Sequence, residues 1–171
     1  MNDLQEQAWL DQEDANVRDC VRTYGCFLTY VLAGRKETST SFCYTTGLFG
    51  IGHPELIVFG LSQATAGGLL NLCYARVRDG HDLMPGEIFS FAGAPERVRV
   101  EVFPRPGDVL YTANRFYERP DEFSVPAYQL TWDVEGAFPE DAGYPYGPHV
   151  QPAPGTFVLD EDDECGCGCG C

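Results

Sequence analysis

The sequence is short of positive charge. It has 11 Lys and Arg against 26 Asp and Glu in 171 residues, a formal net charge of -15. Contacts to phosphate need a surplus of Lys and Arg, so a nucleic-acid partner is excluded and an anionic membrane surface is disfavoured. Long apolar runs are missing too. No stretch approaches the roughly 18 consecutive apolar residues of a membrane-spanning helix. Residues 1–14 lack the basic start and apolar stretch of a signal peptide, and carry Asp3, Glu6, Asp11, Glu13 and Asp14 instead. The expectation is a cytoplasmic protein. There thiols stay reduced, so the 8 cysteines are expected as thiols or metal ligands rather than disulfides. No GxSxG, no phosphate-binding GK[ST] loop and no HExxH occurs. Internal repeats are lacking as well.

What is present argues for a folded body. Hydrophobic residues make up 44% and aromatics 13%, enough for a core in a chain of this length. Residues 3–24 read as a helix. Leu4, Ala8 and Trp9 share one stripe, Val17, Cys20, Val21 and Tyr24 another, and Gly25 can close it in a left-handed cap. Residues 26–32 and 41–46 read as strands separated by a turn at Gly34, and Gly47, Gly50 and Gly52 break the second. Residues 56–59 are continuously apolar, as in a strand buried on both faces.

The clearest helix comes next. Ser62 suits the N-cap, and Ala66, Leu69, Leu70, Cys73, Tyr74 and Val77 form one stripe. Arg76 and Arg78 complement its C-terminal dipole, and Gly80 can end it. Gly67-Gly68 inside it costs about 1 kcal/mol per glycine relative to alanine, so a close backbone approach is expected there. Residues 87–91, 97–103 and 125–131 read as strands. The alternation of residues 97–102 gives one wet and one buried face, and residues 108–117 read as a short helix. From Ala137 onward, recurring Pro and Gly make an extended arm.

Phe42-Cys43-Tyr44-Thr45-Thr46-Gly47-Leu48, then His53-Pro54-Glu55-Leu56-Ile57-Val58-Phe59-Gly60-Leu61, resembles a bacterial family of domains of unknown function, number 4262 in its series. Leu83-Met84-Pro85-Gly86-Glu87, Gln129-Leu130-Thr131-Trp132-Asp133, Gly136-Ala137-Phe138-Pro139 and Gln151-Pro152 are similar to later pieces of its pattern. The resemblance spans about residues 15–155. It departs at Glu140, where the family usually has Trp, and in the tail from Asp160. It implies a compact α+β domain and no established activity.

The expected architecture is therefore α+β. Residues 1–155 form a single compact domain with a mixed or mainly antiparallel sheet and packed helices. Residues 156–171 form a flexible C-terminal tail. Within the body, His53, Glu55, Tyr44 and Thr45 could converge as acid–base groups, but the loop Gly52-His53-Pro54-Glu55 reads more simply as a hydrogen-bonded turn entering a strand. Tyr44, Phe49 and Trp132 could stack on an aromatic ligand, or simply pack in the core. Cys20, Cys26, Cys43 and Cys73 sit among apolar neighbours and read as small buried hydrophobes.

The tail carries the chemical signal. Asp160-Glu161-Asp162-Asp163-Glu164 precedes Cys165, Cys167, Cys169 and Cys171, which alternate with single glycines. Thiolates are soft ligands that select Cu(I) and Zn(II), and four can complete one tetrahedral ion. The spacing is tighter than that of zinc fingers, which leaves polynuclear Cu(I) thiolate open. The expected function is a non-enzymatic carrier domain presenting a CGCGCGC thiolate tail to a soft metal ion. One alternative is a precursor with a large folded leader whose terminal cysteines a modifying enzyme alters. Another is an enzyme or small-ligand-binding domain using the YTTGL/HPEL region.

Overall fold

A computed structural model describes residues 3–94, 96–159 and the backbone of residues 166–169. Helix α1 runs Asp3–Tyr24, strand β1 Phe27–Val31, β2 Phe42–Thr46, β3 Glu55–Phe59, α2 Gln63–Arg78, β4 Ile88–Phe89, β5 Val98–Phe103, α3 Tyr111–Phe116 and β6 Ala127–Trp132. The backbone of Gly166–Cys169 forms β7. The sheet order is β4-β5-β6-β3-β2-β1-β7. Every pairing is antiparallel except β3 with β6, where Glu55 lies beside Ala127 and Ile57 beside Gln129. The fold is thus α+β on a mixed sheet, as the sequence implies.

Helices cover both faces of the sheet centre, which explains why β1, β2 and β3 are buried at every position. On one face, Ala66, Leu70, Cys73 and Val77 of α2 pack against Leu28, Tyr30, Cys43, Leu56 and Val58. The Ser62 hydroxyl accepts from Thr65 N at 3.2 Å and caps that helix. On the other face, Val31, Phe42, Tyr44, Ile57 and Phe59 pack with Val109, Leu110 and Ala113 beside α3. Val17 and Cys20 of α1 close over Phe27.

Several expectations need correction. Leu4 is 82% and Trp9 50% exposed, so the first stripe of α1 is not a core stripe. The buried residues of that helix, Val17 and Cys20, lie in its C-terminal half. The Gly67-Gly68 pair admits no neighbouring backbone: a Cβ on Gly67 would touch only the Leu28 side chain, and one on Gly68 nothing within 4 Å. The close approaches occur elsewhere. Gly25 and Gly47 both have positive φ, and a Cβ on Gly47 would stand 2.3 Å from the Gly25 carbonyl oxygen. The strand expected over 87–91 shrinks to Ile88–Phe89.

The Pro-rich arm crosses the polar side of β5 and β6 and is fastened by side-chain amides. Gln151 accepts from Trp132 N at 2.8 Å and donates to Trp132 O at 2.9 Å, so its amide pairs with β6 as another strand's peptide would. Gln129 donates to Pro152 O at 2.8 Å. The arm then delivers Phe157 against Phe42 and Phe59, with ring centroids 5.3 and 4.7 Å apart. That contact fixes the root of the tail. Of the tail expected to be flexible over 156–171, Phe157 and Leu159 pack against the core, and the backbone of Gly166–Cys169 lies along β1 as the outermost strand.

Candidate functional site

The YTTGL/HPEL region comes together, but as a clasp. Glu55 is fully buried at the start of β3. Its Oε1 accepts from Gly47 N at 2.9 Å and Phe49 N at 3.1 Å. Its Oε2 accepts from Thr45 Oγ1 at 2.6 Å and Leu48 N at 3.3 Å. Thr45 Oγ1 in turn accepts from Leu56 N at 2.9 Å. The carboxylate therefore stands in for the peptide groups that the loop after β2 would otherwise lack. Burial pushes the Glu55 carboxyl up to about 7, and the four donors hold it from rising further.

His53 is equally committed. Its Nε2 accepts from Leu83 N at 3.1 Å, which leaves the proton on Nδ1 to donate to Pro54 O at 2.7 Å. It ties the loop before β3 to the segment after α2. The Tyr44 hydroxyl accepts from Thr112 N at 3.2 Å, and burial raises its pKa. Both ring nitrogens of His53 and both oxygens of Glu55 are taken up by main-chain and side-chain groups of the fold. The grouping, which could have converged as acid–base groups but reads more simply as a hydrogen-bonded turn, holds a backbone shape. Of the ring residues, Trp132 donates from Nε1 to Phe59 O at 2.8 Å and Phe49 packs edge-on to Tyr117 at 5.0 Å.

The body thiols behave as expected of small hydrophobes: Cys20, Cys26, Cys43 and Cys73 are buried. Burial pushes the Cys73 thiol up to about 12, so it stays protonated. Among the described residues, no group of three or more His, Cys, Asp and Glu is placed to hold a metal ion. Of the tail ligands, Cys165 and Cys171 lie outside the described residues. Cys167 and Cys169 fall on β7, at the positions opposite Tyr30 and Leu28.

Among the cavities lined by the described residues, two lie against the sheet strands. One, of about 740 Å³, lies between the arm and β5–β6 and is lined by Arg99, Glu101, Thr131, Glu140 and Tyr146 among others. Its charges are matched, since Arg99 pairs with Glu140 and with Glu101. The other, of about 250 Å³, lies between α1, α3 and the β1–β2 surface. Thr29, Val31, Phe42 and Tyr44 form its floor, with Trp9, Leu10, Tyr111 and Arg115 around it. The buried Thr29 hydroxyl acts on the Tyr44 phenol but reaches no hydrogen-bonding geometry with any partner. The sequence holds one sign of this cavity: Thr29 is a polar residue in the otherwise apolar run Phe27-Leu28-Thr29-Tyr30-Val31.

A family model described as a domain of unknown function (DUF4262) matches residues 20–145. No curated protein and no solved structure matches the chain. No helix among the described residues is long and apolar enough to cross a membrane.

Proposed function

The chain belongs to that family, whose description assigns no chemistry, and we propose that its function resides in the tail: a folded carrier presents Cys165, Cys167, Cys169 and Cys171 to a soft metal ion, Cu(I) or Zn(II). The carrying observation is the spacing itself. Four thiols within seven residues, separated only by glycine, lie beyond residue 145, where the family match ends. Glycine lets the chain bend round an ion without steric penalty. The preceding acids attract cations and raise the thiol pKa values. The metal offsets this by binding the deprotonated form, so loading releases protons. A reducing cytoplasm suits such a tail, and the buried, protonated Cys73 thiol leaves the terminal set as the reactive one.

Titration of the reduced full-length protein tests the reading. About one Zn(II), or several Cu(I), should bind per chain with proton release. Replacing the four tail cysteines by serine should abolish binding and leave the thermal transition in place. Retained stoichiometry in that variant would overturn the proposal.

A second reading rests on where the tail leaves the body. Phe157 and Leu159 pack against the core, and residues 160–171 lie beyond both that anchor and the family match in sequence, as in a precursor whose leader is recognised and whose terminal cysteines are altered. Intact mass of protein from its native host separates the two. An unshifted mass keeps the metal reading, whereas a covalent shift confined to residues 160–171 establishes the precursor.

A further inference from the structure

The outer edge of β1, which the tail backbone covers as β7, and the cavity of about 250 Å³ beside it form one surface. Strand edges carry unpaired N–H and C=O groups that accept another extended chain. Here the tail backbone pairs antiparallel, with Gly168 opposite Thr29 and Gly166 opposite Val31. Thr29 and Val31 are the β1 residues that floor the cavity. Directly opposed residues in antiparallel strands share a face. The two tail positions opposite Thr29 and Val31 are thus both glycine. The tail backbone satisfies the edge, and among the tail's described residues only Leu159, at its root, lines the cavity.

We propose that β1 and this cavity receive an extended, basic polypeptide strand of a partner protein, which pairs antiparallel with β1 and seats a bulky apolar side chain opposite Thr29, displacing the tail strand. Main-chain hydrogen bonds are the same for both occupants, so the side chain in the cavity decides between them. Val31, Phe42, Trp9 and Leu10 offer it apolar walls, and the Thr29 hydroxyl has room for a partner. Charge selects the partner's composition. Arg115 is already matched by Glu13 at 2.8 Å and Asp14 at 3.0 Å, while Glu6 also lines the cavity of a chain with net charge -15. Half-exposed Trp9 and Tyr111 flank the entrance. This surface stands whether or not the tail binds metal, and its occupation would release the tail thiols.

The full-length chain tests it in two ways. In cis, Gly168→Leu should protect the outward β1 amides from hydrogen exchange about tenfold more than Gly168→Thr, a β-former lacking the apolar bulk. Equal protection in the two variants would overturn the proposal, since strand propensity alone would then explain the gain. In trans, the probe is the heptapeptide Lys-Thr-Lys-Leu-Lys-Thr-Lys. It should bind saturably and remove exchange protection from residues 166–169. If the same peptide with glycine in place of leucine binds equally well, the cavity plays no part and the proposal falls.

Discussion

Glu55 and the tail cysteines are both dense local concentrations of polar chemistry, and the fold treats them in opposite ways. Glu55 is enclosed, with four donors aimed at its two oxygens from its own loop. Of the tail cysteines, Cys167 and Cys169 fall on the sheet's last strand, and all four alternate with glycine in the sequence. A buried polar group with every partner supplied by the chain holds shape, because any change leaves donors stranded. On the proposed reading, the tail thiols instead keep their bonding capacity for a metal ion. Both patterns draw the eye in the sequence, and the difference between them is whether the bonding is already spent.

The comparison breaks most readily at Glu55. Glu55→Gln places an NH₂ group among N–H donors and should cost about 3 kcal/mol of stability. Chemical denaturation of both proteins checks it. The carboxyl also gives the wild type a signature. Its folded-state pKa lies above the ordinary value of 4.5, at about 7, so the native state keeps a proton that the unfolded chain releases between those values. Stability from this group is full below about pH 4.5 and falls as pH rises to 7, by about 1.4 kcal/mol per pH unit at most. The Gln variant should lack that slope. Coincident slopes would mean that Glu55 is ionised throughout and that its donors outweigh burial.

Next in size is the arm. Gln151→Ala removes both hydrogen bonds to the Trp132 main chain and should cost about 2 kcal/mol, read from the thermal transition. A larger tail effect than body effect in exchange experiments on this variant would show that the arm, rather than Phe157, fixes the tail's root.

These cases show how much the sequence makes legible. The α2 stripe, its Ser62 cap and the buried strands follow from period and composition, because each is a local pattern. The clasp is half legible: the sequence supports a turn at His53 and Glu55, but not that Glu55 binds Gly47 and Phe49, which requires knowing that β2 and β3 are neighbours. The parallel pairing of β3 with β6 joins residues about 70 apart in sequence and leaves no local mark. Exposure of Leu4 and Trp9 is not legible either, since helical period shows a stripe but not whether a sheet lies under it. The cavity beside β1 depends on three elements at once, and only Thr29 hints at it.

The tail's two arrangements sharpen the contrast further. Alternate positions of an extended strand lie about 6.6 Å apart along the chain. A tetrahedral ion with Zn–S bonds near 2.3 Å gathers its sulfurs within about 4 Å of one another. Four alternating cysteines held in line cannot all reach one ion, so the backbone must bend at its glycines, and the strand pairing with β1 must yield. Loading with Zn(II) should therefore lower exchange protection of β1 about tenfold, with no change in the four-serine variant. Unaltered protection on loading would show that the ion takes fewer than four of these ligands.

The smallest effect tests the meaning of glycine in the two regions. In the tail, glycine between cysteines would serve bending if the proposed metal binds, and at Gly47 it serves a contact that no other residue fits. At Gly68 it serves neither. The residue lies within α2, is exposed, and a Cβ there would meet nothing within 4 Å. Glycine in a helix costs backbone entropy that alanine does not, so Gly68→Ala should stabilise the fold by about 0.5–1 kcal/mol. Gly47→Ala, driven into the Gly25 carbonyl, should instead destabilise it. Thermal denaturation of the two variants should move in opposite directions. A loss at Gly68 would mean that this position makes a contact outside the chain, and α2 would then join β1 as a surface that another molecule uses.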